Sequence, residues 1–175
     1  TPIPEEPVDV TVLAASDASD TLLGGIIFSD CDEPQDLVLE YAKKETHIFV
    51  KEALAAFFVV GRILENVRLW HPKARRIDLR LAVDNLPLCR AIAREYSTNV
   101  IVNNLITRMH EGARQLGVRV TPVDISTDYN AADCMTVDSL LRREQHQHDV
   151  DGTICENRLV STIAVLRGQI GRAHV

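Results

Sequence analysis

Residues Val10 to Phe28 read VTVLAASDASDTLLGGIIF, and the placement of Asp17 in this stretch decides how the chain is read. An apolar run that should be buried ends on a carboxylate, which is costly to desolvate unless a hydrogen bond, a cation or a metal compensates it. The segment DVTVLAASDA (9–18) alternates, then turns wholly apolar, and predicts a first strand. DTLLG reads as a turn, and GGIIFS as a second strand antiparallel to the first.

Working outward, CDEPQD reads as a loop, and in the ambiguous LVLEYAKKETHIFV the best short strand is THIFV. VKEALAAFFVVGRILEN (50–66) predicts a helix with Lys51 and Glu52 in its first turn. RIDLRLAVD (76–84) predicts an interior strand ending at Asp84. NLPLCRAIAREY follows as a helix, with Asn85 as N-cap and Pro87 in the first turn. NVIVNNLITRMHEGARQLG carries a helical period that stops at Gly117, and VRVTPVDI predicts another strand. YNAADCMTVDSLLRREQ predicts a last helix, with Asn130 as N-cap and Asp133 in its first turn. The expected class is α/β: a mixed five-stranded sheet, its first three strands antiparallel and the later ones parallel, with helices on both faces.

With 175 residues and 46% hydrophobic content, the chain can build one domain with a substantial core. No apolar run approaches the roughly 20 residues that span a bilayer. TPIPEEPV (1–8) reads as a linker from a preceding domain, 9–146 as the folded domain, and 147–175 as a C-terminal tail. Within that tail RLVSTIAVLRGQI is apolar enough to pack somewhere, and the closing GRAHV has the character of an appended expression sequence. Cys31, Cys89, Cys134 and Cys155 show no CxxC spacing, so thiols in a reducing intracellular compartment (cytoplasm or nucleus) are expected. His146 and His148 read as part of a solvated run. The net charge of −6 argues against a strong stand-alone nucleic-acid binder, although an acidic cluster holding divalent cations would itself inflate that number.

Four acids stand out by position: Asp17 and Asp84 at strand ends, Glu52 and Asp133 at helix starts. Each alone has an ordinary explanation as a turn residue or a partner of the helix dipole. If the first and fourth strands are parallel neighbours, Asp17 and Asp84 lie side by side beyond their carboxyl ends, where open sheets form sites. Clustered carboxylates repel, and a hard divalent cation such as Mg²⁺ resolves the conflict. Two such ions about 3.5–4 Å apart suit in-line phosphodiester hydrolysis.

SDASDTLLGGIIF, VKEALAAFFVV, LAVDNLPL and YNAADCMTVDSL together resemble the ribonuclease H domain of retroelement reverse transcriptases, over roughly residues 9–145. The VDN and NxxAD forms are most similar to those of long-terminal-repeat, DIRS-like and hepadnavirus-type elements. The resemblance implies a ribonuclease H-like fold and metal ligation by Asp17, Glu52, Asp84 and Asp133. It implies two Mg²⁺ ions, for which Mn²⁺ can substitute, and cleavage of the RNA strand of an RNA–DNA hybrid. A covalently linked reverse transcriptase domain is the implied partner, with no membrane involved. The chain departs from the pattern in two ways. It carries no basic insert between Asp84 and Val118, and DISTDYNAAD has no histidine before the final acid.

Hybrid recognition should rest on backbone and 2′-OH contacts, for which Ser16, Ser19 and Asn85 stand beside the acids. Lys43, Lys44, Lys73, Arg75 and Arg76 form two basic clusters whose ordinary reading is a solvated surface, and core packing is the ordinary reading of Trp70. Three alternatives stay open: a weak or inactive interaction module of the same fold, another nuclease or integrase of that fold, and a phosphohydrolase with Asp17 as nucleophile.

Overall fold

The computed structural model describes residues 9–28, 33–136 and 153–169. Five strands form one sheet: β1 (Val10–Ala18), β2 (Leu22–Phe28), β3 (Pro34–Tyr41), β4 (Ile77–Val83) and β5 (Val118–Asp124). Their spatial order is β3-β2-β1-β4-β5. β1 pairs antiparallel with β2 and β2 with β3, while β1–β4 and β4–β5 are parallel. The mixed sheet expected from the sequence is therefore the one observed.

Three helices pack on one face: α1 (Ile48–Trp70), α2 (Leu86–Arg94) and α3 (Val100–Gln115). Their apolar residues, among them Val59, Ile63, Leu88 and Ile106, meet Val12, Ala14, Leu79 and Leu81 of the sheet in the main core. The other face carries a smaller core. There Leu13, Ala15, Ile26 and Ala82 meet Ala131 and Ala132 of a short 3-10 turn (Ala131–Met135), and Ile163 and Leu166 of α4 (Thr153–Leu166). The RLVSTIAVLRGQI segment thus supplies a packed helix.

The paired glycines of β2 make both layers possible. A Cβ on Gly25 would lie 2.0 Å from Val59 Cγ2 of α1, and one on Gly24 would lie 2.9 Å from Thr136 Cγ2 on the opposite face. A side chain at either position would push its covering layer off the strand.

Some boundaries differ from expectation for local reasons. THIFV is not a strand: His47 caps α1, its Nδ1 accepting from the Phe49 amide at 3.1 Å, and Ile48 to Val50 begin the helix. The third strand lies earlier, at Pro34–Tyr41, taking in part of what reads as a loop. It is an edge strand with Val38 its only buried residue, so hydrophobicity gives little signal, and an edge tolerates Pro34. β2 begins at Leu22, inside the expected turn. Glu52 is the fifth residue of α1 and so beyond its first turn. After Asn130 the chain forms the 3-10 turn instead of opening an α-helix, and residues 137–152, which held the rest of that expected helix with His146 and His148, lie outside the described residues. Asn85 caps α2 as expected, and α3 ends before Gly117, which adopts φ +69°. No described helix is long and apolar enough to cross a membrane.

Candidate active site

The parallel pairing of β1 with β4 runs to Ser16 opposite Val83, so the next residues of the two strands, Asp17 and Asp84, emerge together at the carboxyl end of the sheet. α1 delivers Glu52 to the same edge. One carboxylate oxygen from each of Asp17, Glu52 and Asp84 lies within 4.8 Å of the other two. Asp17 and Glu52 are buried and Asp84 is half-buried.

Nearby hydroxyls orient the cluster. Thr136 Oγ1 donates to Asp17 Oδ2 at 2.6 Å, and Thr127 Oγ1 to Asp84 Oδ2 at 3.2 Å. Asn130, wholly buried, donates to the Ser16 carbonyl at 3.0 Å and accepts from the Ala132 amide at 3.0 Å. It thereby locks the last turn onto the end of β1. Lys51, also buried, donates to the carbonyls of Asp20 at 2.6 Å and Lys44 at 3.2 Å, tying the β1–β2 turn to the loop before α1.

Burial, then the charges of Asp84 and Glu52, push the Asp17 carboxyl up to about 9, against the lowering bond from Thr136. Burial and the Asp84 charge push Glu52 up to about 8. Burial also raises Asp84, opposed by hydrogen bonds with Asp17 and Thr127. Among the described residues, none of the principal influences on the three is a cation. The Glu52 Oε2 atom is buried without a hydrogen-bond partner. An all-oxygen donor set, an orphaned buried oxygen and uncompensated mutual repulsion fit a hard divalent cation.

Asp133 is near enough for its charge to act on Asp17, Glu52 and Asp84. It is not one of the three converging acids, and its Oδ2 accepts from Arg158 Nη1 of α4 at 2.6 Å. Of the expected substrate contacts, Ser16 is corrected: it is fully buried, its Oγ has no partner, and a nucleic acid cannot reach it. Its Cα pairs with Gly25, beneath α1. Ser19 Oγ accepts from the Leu22 amide at 3.2 Å in the β1–β2 turn, and Asn85 Oδ1 from the Leu88 amide at 2.9 Å. Both are half-buried at the rim and carry those structural roles. Trp70 packs partly against the main core, and Lys43, Lys44, Lys73, Arg75 and Arg76 are exposed. Arg158, Thr136 and Thr127 are not singled out by sequence reasoning. Nothing in their local pattern sets them apart, because each is brought to the site by contacts remote in sequence.

No family model matches the chain, and no curated protein matches it. Solved structures do. Ribonuclease H1 from the halophilic archaeon Halobacterium salinarum NRC-1 is similar with a TM-score of 0.56 and 15% identity, over 71% of this chain and 93% of that one. LC11-RNase H1 in complex with an RNA/DNA hybrid is similar with a TM-score of 0.51 and 15% identity, over 71% and 91% of the two chains. A further structure of LC11-RNase H1, isolated from compost by a metagenomic approach, gives 0.50 and 16%, over 70% and 89%. At such identities the likeness speaks for architecture, and it agrees with the strand order and the helices on both faces. The chain has a ribonuclease H-like fold.

Proposed function

We propose that this chain is an endoribonuclease that hydrolyses the RNA strand of RNA–DNA hybrids, working as part of a retroelement reverse transcriptase. The observation that carries the reading is the convergence of Asp17, Glu52 and Asp84 at the carboxyl end of two parallel strands. The neighbour that is an RNase H1 in complex with RNA/DNA hybrid supports the substrate class, and the VDN and NxxAD forms support the retroelement context.

Asp17, Glu52, Asp84 and Asp133 would hold two Mg²⁺ ions, or Mn²⁺ in their place. Such a pair, when bound, activates the attacking water and steadies the leaving oxygen. The chain's own residues do the rest. β1 and β4 hold Asp17 and Asp84 rigidly at adjacent strand ends. Thr136 and Thr127 fix which oxygens of those carboxylates are free to face a cation. Before a cation binds, the raised protonation of Asp17 and Glu52 limits the repulsion that three clustered carboxylates would otherwise build. Ser19 and Asn85, at the rim, are the short polar groups offered to the sugar–phosphate backbone.

The direct test is cleavage of an end-labelled RNA–DNA hybrid with Mg²⁺ or Mn²⁺, beside Asp84→Asn and duplex RNA and DNA. Cutting of the RNA strand of the hybrid alone, lost in the variant, is expected. A folded, cation-loaded sample that leaves the hybrid intact would sink the proposal. It would favour the second reading, a weak or inactive module of the same fold, for which the Arg158–Asp133 ion pair speaks.

A further inference from the structure

The pairing of Asp133 with Arg158 sets the fourth acid apart from the other three. Arg158 Nη1 donates to Asp133 Oδ2 at 2.6 Å, and both side chains are largely shielded, at 24% and 32% exposure. One turn along the same helix, Thr162 Oγ1 accepts from the Ala131 amide at 2.8 Å and lies 2.6 Å from the Tyr129 carbonyl. α4 is therefore fastened to the turn that carries Asp133 at two successive levels. Among the described residues, Asp17, Glu52 and Asp84 crowd together with no partners beyond one another, hydroxyls and the backbone, while Asp133 alone of the four has a guanidinium.

We propose that Arg158 is a positioning residue that competes with a divalent cation for Asp133, so that the site needing the fourth carboxylate fills only when the Arg158–Asp133 bond is exchanged. This rests on the cation-site reading of the previous section. The physical reason is charge. A guanidinium and a dication on one half-buried carboxylate repel each other through a medium that screens poorly, so each occupant weakens the other. Among the described residues the three-acid cluster has no such competitor, and it takes its ion first. α4 thereby couples cation loading to its own docking on the sheet.

The test is Mn²⁺ titration by calorimetry of the full chain, wild type beside Arg158→Gln, Arg158→Lys, Asp133→Asn and Asp17→Asn. Wild type should bind one ion tightly and a second weakly. Arg158→Gln should tighten the second ion by about tenfold or more, the size of effect that outer partners of metal ligands have, and leave the first unchanged. Arg158→Lys, which keeps the charge, should restore weak second binding, and Asp133→Asn should lose the second ion. A merely structural role for Arg158 would not give this split. Second-ion affinity unchanged or weakened in Arg158→Gln, with Asp17→Asn still abolishing tight binding, overturns the proposal and spares the cation site. Tight binding that survives in Asp17→Asn overturns the cation site and the proposal with it. A measurement on the unaltered chain stands should Arg158→Gln fail to fold. The Arg158 guanidinium NMR signals should move as Mg²⁺ fills the second site, and signals that stay in place through saturation overturn the proposal.

Discussion

Thr136 Oγ1 donates to Asp17 Oδ2 at 2.6 Å, joining the end of the last 3-10 turn to the end of β1 across 119 residues of sequence. This hydroxyl is the principal influence that favours the charged form of Asp17. Thr136→Val keeps the shape and removes the donor. It should push the Asp17 carboxyl further up and weaken Mn²⁺ binding by about tenfold or more, measured by calorimetry at neutral pH. Unchanged affinity would show that the bond does not prepare Asp17 for a cation.

Cation-free stability should fall as pH rises. Folding lifts Asp17 from 3.8 to about 9 and Glu52 from 4.5 to about 8, so between those limits the folded state binds more protons than the unfolded chain. The stabilisation is complete below the unfolded values and is lost as pH rises through the folded ones. Melting temperature in EDTA should therefore decline from about pH 4 to about pH 9, and Mg²⁺ should recover most of the loss at the alkaline end. A flat profile in EDTA would contradict the buried acid cluster.

Asp17→Asn removes one of the repelling charges. Cleavage of hybrid should drop by about a hundredfold or more, since a cation ligand is lost, while the variant melts higher than wild type in EDTA above neutral pH. Circular dichroism melts beside the cleavage assay check both halves. An unfolded variant would refute the second half.

Asn130→Ala should destabilise the chain by about 1–3 kcal/mol, because the Ser16 carbonyl and the Ala132 amide both lose a buried partner. Urea unfolding measures it. A change within error would mean that the last turn is held to β1 chiefly by α4.

Gly25→Ala should cost about 1–3 kcal/mol through overpacking, as the added Cβ would sit 2.0 Å from Val59 Cγ2. Val59→Ala in the same chain should recover part of that loss. Failure of the second substitution to recover stability would place the clash on the Ala15 carbonyl, 3.0 Å away.

Where side chains alternate with strong period, the sequence alone determined a good deal. The apolar run of Val10–Ala18 carries Asp17 as its next-to-last residue, and that of Ile77–Val83 stops just before Asp84, so both strands and the acids at their carboxyl ends are legible from residue type alone. Asn85 announces a helix start because a short side chain capping an amide is a local event. Tertiary structure decided the rest. Pro34–Tyr41 became a strand because β2 offered an edge to pair with, although only Val38 is buried there. THIFV, with the β-branched and aromatic residues of a strand, became the start of α1 because Val50, Ala53 and Ala56 face the main core. The parallel pairing of β1 with β4 brought Asp17 and Asp84 together, and the docking of α4 brought Arg158 to Asp133. Local pattern reports what a segment would bury, while partnership between charges remote in sequence exists only once the layers have packed.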